Sequence, residues 1–211
     1  MIEEYNKYKY IYPPRVELKI HRDNLDFYDN GTFIGEPKLN GSNCCLFVND
    51  NKYIQKGRHN NTLSIFNLLE EEIMDVFSNK GWNNIIGEYM NKSKKDENNE
   101  VFNHKFVIFD QIVFNSEYLL DSTFNYRYEK LLDIYKPIGE TEFLYKISDN
   151  IYMVKGFYDN IGKVWDKITK IDMFEGLVMK RKNGKLKRGT SEKNNHMTMF
   201  KVRKENNSYL Y

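Results

Sequence analysis

The 211-residue chain has no alanine, four prolines and only two cysteines. The missing alanine accompanies heavy use of Asn, Lys, Ile and Tyr, which indicates an AT-rich genome and carries no functional meaning. No apolar run has the length needed to cross a bilayer, so the sequence predicts no transmembrane helix. The segment Met1 to Tyr5 is acidic and lacks an apolar core, which argues against a secretory signal. We therefore expect a cytoplasmic protein, in a host cell if its source is viral.

The two cysteines, Cys44 and Cys45, are neighbours in an apolar run. Neighbouring residues of a strand point to opposite faces, which disfavours an ordinary disulfide between them. The four histidines are scattered, and no residues have the spacing of a zinc site. We expect both cysteines to pack in the core of a protein from a reducing compartment.

Size and composition are those of an ordinary globular protein, with 40% hydrophobic and 29% charged residues. The net charge is only +2, but the basic residues are unevenly distributed. Ten Lys or Arg and a single acid, Glu192, lie between Lys180 and Lys204. Most such runs are solvated surfaces, but apolar and glycine residues interrupt this one. The pattern favours an ordered basic surface with a phosphate-rich partner.

Hydrophobic periodicity predicts strands interleaved with three helices. Strands are predicted at 32–36, 44–48, 52–56, 84–89, 104–114, 150–157, 175–181 and 198–204. Helices are predicted at about 62–79, from a cap at Ser122 or Thr123 to Tyr135, and around 161–168. No internal repeat or linker divides the chain. We expect one α+β domain over 1–211, built of mainly antiparallel sheets flanked by helices.

The most informative local feature is a lysine set before a glycine turn, Lys38-Leu39-Asn40-Gly41. Alone it is typical of a solvated hairpin. Further segments that could act with it follow in order: Arg58, Gly87-Glu88, Phe109-Asp110, Glu175 to Lys180, and Lys201-Val202-Arg203. A lysine becomes a nucleophile when desolvation or nearby positive charge lowers its pKa. Several cations around such a lysine indicate that an anion binds between them.

These segments resemble the six collinear motifs of the covalent nucleotidyltransferases: RNA ligases, DNA ligases and messenger-RNA capping enzymes. In that family a lysine attacks the α-phosphate of a nucleoside triphosphate and releases pyrophosphate. The chain is similar to the signature Lys-x-Asp-Gly, with Asn40 in place of the acid. RNA ligases accept other residues at that position. Ser42-Asn43 is similar to the residues that follow the glycine in phage RNA ligases. The resemblance covers about residues 36–204 and is greatest to a small phage-type RNA ligase. Most relatives carry a further C-terminal domain, such as an oligonucleotide-binding barrel, but this chain ends seven residues after Lys204. We therefore expect a nucleotidyltransferase domain without that barrel.

The resemblance also implies roles for single residues. Lys38 is the implied catalytic nucleophile, Glu88 binds the ribose, and Phe109 stacks on the base. The implied phosphate contacts are Arg58, Lys180, Lys201 and Arg203. Glu175 and Asp110 are the implied carboxylates for Mg²⁺ or Mn²⁺. Each residue has a plainer interpretation, with Phe109 in the core and Glu88 or Glu175 on the surface, so it is the ordered set that is specific.

Glu36 bears on which triphosphate is used. It lies two residues before Lys38, hence on the same strand face, where its carboxylate can accept from the adenine amino group. Guanine also carries an amino group, but related DNA ligases place a glutamate at this position. We therefore expect ATP.

The sequence favours an ATP-dependent RNA ligase that joins 5′-phosphate and 3′-hydroxyl ends in RNA repair. Lys182, Lys185, Lys187 and Arg188 are expected to bind the strand. A nick-sealing DNA ligase is the nearest alternative, because it would use the same residues. A messenger-RNA guanylyltransferase and a degenerate nucleic-acid-binding module are the others. We expect a monomer whose partner is nucleic acid and which does not bind membranes.

Overall fold

The computed structural model describes residues 18–49, 52–57, 61–63, 66–78, 81–186 and 198–205. Its helices are α1 Glu70–Phe77, α2 Phe124–Ile134 and α3 Ile161–Ile168. The first strands are β1 Leu18–Lys19, β2 Phe33–Leu39, β3 Ser42–Asn49, β4 Lys52–Lys56, β5 Trp82–Met90, β6 Lys94–Lys95 and β7 Val101–Phe102. The remaining strands are β8 Lys105–Phe114, β9 Glu117–Tyr118, β10 Gly139–Glu140, β11 Leu144–Lys146, β12 Ile151–Val154, β13 Phe174–Arg181 and β14 Met199–Arg203. Within these ranges, every helix is too short or too polar to span a bilayer.

Two sheets form the body of the molecule. The smaller has the strand order β1-β14-β13-β2, and the larger has the order β10-β11-β12-β8-β5-β3-β4, with β9 paired to β8. All pairs are antiparallel except β1 with β14 and β12 with β8. Strands β6 and β7 form a separate hairpin. The predicted α+β fold of mainly antiparallel sheets is confirmed.

The hydrophobic clusters lie on the faces of these sheets, and the two cysteines belong to two different clusters. Both cysteines are buried thiols. Cys44 belongs to the cluster with Leu46 and Ile73, and Cys45 belongs to the one with Phe47 and Trp82. Adjacent residues of β3 thus pack on opposite faces of the larger sheet, as the sequence predicts.

Helices α2 and α3 agree with the predicted ones. The Thr123 hydroxyl caps α2 by accepting from the backbone N–H of Tyr126 at 3.2 Å. Phe124 and Tyr128 of α2 pack on Ile34 of β2, so this helix covers one end of the smaller sheet. In α3, the residues at helical spacing are those that are buried.

The predicted helix over 62–79 is wrong in its first half, because α1 begins only at Glu70. Thr62 pairs with Lys56, and the backbone N–H of Asn67 donates to the Tyr89 hydroxyl at 2.8 Å. Leu69 is extended, with φ −68° and ψ 134°. The apolar residues before it therefore reach the core from an extended segment that the neighbouring strands hold.

Two β-bulges interrupt the pairing at residues that the motifs single out. In β13, Phe174 pairs with Leu39 and Gly176 with Lys38, so that Glu175 is the extra residue. In β8, Ile108 pairs with Gly87 and Asp110 with Ile86, which leaves Phe109 as the extra residue. A bulge breaks the alternation of faces and redirects the inserted side chain. Glu175 and Phe109 owe their directions to these bulges.

Gly176 is part of the bulge in β13, and Gly176→Ala should destabilise the fold. Its φ is +139°, and a Cβ there would collide with the Val202 carbonyl and lie 2.9 Å from the Trp165 ring. Backbone strain and overpacking together should lower the free energy of unfolding by about 2–5 kcal/mol. Urea unfolding measures this. The control is Gly139→Ala, whose Cβ would meet its nearest atom at 3.9 Å, and equal effects of the two changes would contradict the role given to Gly176.

Candidate active site

Lys38 lies on β2 directly opposite Gly176, next to the bulged Glu175. Its ammonium donates to Glu175 Oε2 at 2.6 Å. Arg203 of β14 approaches the same oxygen at 3.2 Å through Nη2. All three side chains are partly exposed, so the cluster is open to a ligand. Three of the predicted motif segments meet here.

The turn after Lys38 is tied to two other parts of the site. The Asn40 backbone N–H donates to the Met173 carbonyl at 2.9 Å. The Gly41 backbone N–H donates to Glu88 Oε1 at 3.1 Å. A Cβ at Gly41 would lie 2.5 Å from the Tyr89 carbonyl oxygen. Only glycine allows this close approach, which places the Glu88 carboxylate beside the lysine motif.

A second charged pair is buried further along β2 and β13. Lys180 Nζ lies 2.6 Å from Glu36 Oε2, and the two side chains are 4% and 2% exposed. Lys180 also donates to the Phe109 carbonyl at 3.0 Å. Its Nζ lies 4.4 Å from the Phe124 ring centroid and 5.2 Å from that of Phe109. The half-buried Phe109 ring therefore borders this pair.

This position does not fit the predicted phosphate contact of Lys180. Lys180 pairs with Ile34, whereas Lys38 pairs with Gly176. The two lysines are therefore offset by four residues along the paired strands, which corresponds to about 13 Å. Lys180 thus belongs with Glu36 and Phe109, at the end of the site where the resemblance puts the base.

Glu36 has an unusual environment. Burial raises its pKa from 4.5 to about 7, although the Lys180 ammonium opposes the change. Its Oε1 is buried and finds no hydrogen-bond partner among the described residues. Native proteins rarely leave such an atom unsatisfied. The oxygen could accept a hydrogen bond from a ligand that enters beside Phe109.

Asp110 is engaged in a buried ion pair that the sequence did not predict. Arg127 of α2 donates to both of its oxygens, from Nε at 2.8 Å and from Nη2 at 2.9 Å. Burial opposes ionisation of Asp110, but Arg127 outweighs it and holds the pKa of the carboxyl below its ordinary value. The geometry therefore differs from the metal contact that the resemblance implies. Arg127 could have been found from its spacing, because it falls on the apolar face between Phe124 and Leu131.

The remaining predicted residues are spread over the site. Lys201 pairs with Val178, which pairs with Glu36, so it is on the same face of the smaller sheet as Lys38. Lys182 and Lys185 lie at the N-terminus of α2, where Asn125 N–H donates to the Lys182 carbonyl and Lys185 pairs with Thr123. Arg58, Lys187 and Arg188 lie outside the described residues.

The turn at 182–185 is therefore remote from the lysine motif. Arg181 pairs with Phe33, five residues from Lys38 along β2. That separation is about 17 Å, and Lys182 follows Arg181. The turn borders the end of the site that contains Glu36 and Lys180.

Glu175 is the carboxylate that could bind a metal ion beside Lys38. Within the described ranges, no three His, Cys, Asp or Glu side chains come together as a metal site. A protein cage for a metal is therefore not formed by these residues. Mg²⁺ bound through one carboxylate, substrate phosphates and water would fit this donor set.

The Glu36 environment predicts a pH-dependent stability. Between pH 4.5 and about 7 the folded protein retains a proton that the unfolded chain has lost. The contribution of Glu36 is therefore greatest below this window and falls as the pH rises through it. Relative to Glu36→Gln, the free energy of unfolding of the wild type should fall by about 3 kcal/mol across the window. Urea unfolding of both proteins over a pH series measures the difference, and a constant difference would contradict the assignment.

Comparison with known proteins identifies the fold. No protein-family model matches the sequence, and no curated protein is similar enough to match it. A mycobacterial DNA ligase D complexed with ATP and MES matches 84% of this chain and 56% of its own, with 13% identity and a TM-score of 0.57. The ligase domain from M. tuberculosis LigD matches 93% and 61%, with 12% identity and a TM-score of 0.64.

A structure from the Lig E DNA ligases matches 92% of this chain and 70% of its own, with 16% identity and a TM-score of 0.56. The chain thus spans less than two thirds of the two ligase D structures. Similarity at these identities is similarity of fold. The chain has the fold of these DNA ligase domains, which is the fold that the family resemblance predicts.

Proposed function

We propose that this protein is an ATP-dependent RNA ligase. It joins 5′-phosphate and 3′-hydroxyl ends through a lysyl-AMP intermediate and an adenylylated 5′ end. The observation that carries the proposal is the contact of Lys38 with Glu175, on an oxygen that Arg203 also approaches. A lysine, a carboxylate and a second cation at the open end of a ligase-like fold suit attack on a phosphate.

Lys38 is the nucleophile of the first step. Its amine, once deprotonated, attacks the α-phosphorus of ATP, so that a P–N bond forms and the bond to the β-phosphate oxygen breaks. Pyrophosphate leaves. Glu175 holds the Lys38 side chain in position, and Arg203 can neutralise phosphate charge, which is the main task in phosphoryl transfer.

The strand ends react in the next two steps. A 5′-phosphate oxygen attacks the phosphorus of lysyl-AMP, the P–N bond breaks, and Lys38 is regenerated. The 3′-hydroxyl of the other end then attacks the adenylylated phosphate and releases AMP. The basic residues Lys182 and Lys185 are candidates to bind the strand, at a distance from the joined ends.

Glu36, Lys180 and Phe109 form the part of the site that would bind the nucleotide base. Phe109 offers a half-buried ring for stacking, and Glu36 Oε1 can accept from an exocyclic amino group. The Lys180 ammonium beside it is a donor. An acceptor next to a donor matches the amino group and ring N1 of adenine, and we assign ATP on this basis.

Glu175 would hold a divalent cation, Mg²⁺ or Mn²⁺, together with oxygens of the triphosphate. Such an ion neutralises charge on the phosphates while keeping some of its water. Asp110 is not assigned to it, because both Asp110 oxygens accept from Arg127.

RNA is favoured as the substrate by Asn40 and by the Ser42-Asn43 segment after the glycine. A DNA ligase is the second candidate, because the similar structures described above are DNA ligases. The two are separated by offering the adenylated protein RNA and DNA strands of one sequence, as single strands and as nicked duplexes. Joining of DNA alone would replace the first proposal by the second.

Lys38→Ala should abolish formation of the covalent nucleotide adduct from labelled ATP. Lys38→Arg should do the same, because the guanidinium stays protonated. The wild-type adduct should be labile in acid and stable in alkali, as a phosphoramidate is. The control is Lys52→Ala, which removes an exposed lysine of β4. An adduct that survives in Lys38→Ala would disprove the assignment of the nucleophile.

Phe109→Leu should leave the fold largely intact and weaken ATP use about tenfold, because stacking on the base is lost. The measurement is adduct formation over a range of ATP concentrations, beside thermal unfolding. Phe114→Leu, at the other end of β8, is the matched control. Lower stability with unchanged ATP use would make Phe109 a core residue only, and equal labelling by GTP would contradict the choice of ATP.

A further inference from the structure

The β6–β7 hairpin docks on the segment that leads into Glu175. Asp172 accepts from the Lys94 ammonium at 3.0 Å and from the Lys95 backbone N–H at 3.2 Å. The Met173 N–H donates to the Lys95 carbonyl at 3.0 Å. The hairpin is thus fixed beside the candidate active site.

Lys204 joins the same cluster from the end of β14. Its backbone N–H donates to the Glu175 carbonyl at 2.9 Å, and its ammonium donates to the Ile171 carbonyl at 3.2 Å. Burial and the nearby Lys94 ammonium lower the pKa of Lys204, against the opposing effect of Asp172 and Glu175. The surroundings of Lys204 therefore disfavour its charged form.

Positive charge exceeds negative charge at this end of the site. The Glu175 carboxylate is already shared by the two cations of the nucleophile cluster. Asp172 is the carboxylate that acts on both Lys94 and Lys204. Glu88 also lies beside the lysine motif, so these four cations face three carboxylates among the described residues, and an anion would relieve the repulsion among the cations. Partial exposure of Lys94 and Asp172 leaves access from solvent.

We propose that Lys94 and Lys204 form a second phosphate-binding subsite at the segment that leads into Glu175, with Asp172 holding the two side chains. This inference rests on the proposed function. The subsite takes a terminal phosphoryl group, and two sources have that chemistry: the 5′-phosphate of the strand and the pyrophosphate part of the triphosphate. Lys94 lies outside the segments that the family resemblance singles out, and the resemblance assigns no role to Lys204.

The test compares the wild type with Lys94→Gln/Lys204→Gln. In the strand arm, fluorescence anisotropy gives the affinity for one RNA with a 5′-phosphate and with a 5′-hydroxyl. In the triphosphate arm, the ATP concentration for half-maximal adduct and the pyrophosphate concentration that reverses it are measured. Loss of charged hydrogen bonds should weaken one arm about tenfold or more. The affected arm identifies the source, and no change in either arm overturns the proposal.

Two further variants separate a subsite from a structural ion pair. Lys136→Gln/Lys146→Gln removes two lysines that pair with exposed aspartates elsewhere, and it should behave as the wild type. Asp172→Asn keeps both cations and an acceptor for the Lys95 N–H, so phosphate binding should be kept or strengthened. A loss in Asp172→Asn equal to that of the lysine variant overturns the proposal, because docking of the hairpin would then explain both.

The two proposals fail in different ways. The strand arm needs no covalent adduct, and it can be measured on protein that has not been exposed to ATP. A wild type without any lysyl-nucleotide adduct contradicts the proposed function alone. A normal adduct with two unaffected arms contradicts the subsite alone.

Discussion

The site depends on the pairing of β2 with β13. Antiparallel register sets Lys38 opposite Gly176 and Glu36 opposite Val178, so one face of the smaller sheet presents both acidic and basic site residues. The bulge then adds Glu175 without shifting the rest of the strand. If the register moved by one residue, Lys38 would turn to the other face. Bringing Lys38 and Glu175 together is therefore a matter of strand pairing, and the loops only complete it.

Buried charge is the second constraint. Two ion pairs, Glu36 with Lys180 and Asp110 with Arg127, lie where water is excluded. Desolvation makes such pairs costly, and they are weak evidence for stability. What they provide is fixed direction: the Phe109 carbonyl, the Lys180 ammonium and the Glu36 carboxylate are held in one arrangement before any ligand arrives. The site thus keeps polar groups in a place where an apolar core would be simpler to fold.

Much of this was predictable from the sequence, because it follows from periodicity and motif order. Apolar spacing predicts α2, α3 and the central strands, and the ordered motifs predict that Lys38 meets Glu175. The bulges were not predictable, since an inserted residue leaves no periodic signal. A lysine in a strand also reads as exposed, which hides the burial of Lys180. The sequence places Lys182 and Lys185 in the same basic run as Lys201. It does not show the length of strand that separates them from Lys38 in space.

The unsatisfied oxygen of Glu36 links occupancy of the site to protons. Without a ligand that donates to Oε1, about half of the Glu36 side chains would carry a proton near pH 7. A ligand that donates to Oε1 stabilises the ionised form, so its arrival drives that proton into the buffer. Its affinity consequently rises with pH up to about neutrality, and its binding heat depends on the ionisation enthalpy of the buffer. If the site binds a nucleotide as proposed, this carboxylate couples nucleotide binding to the release of a proton.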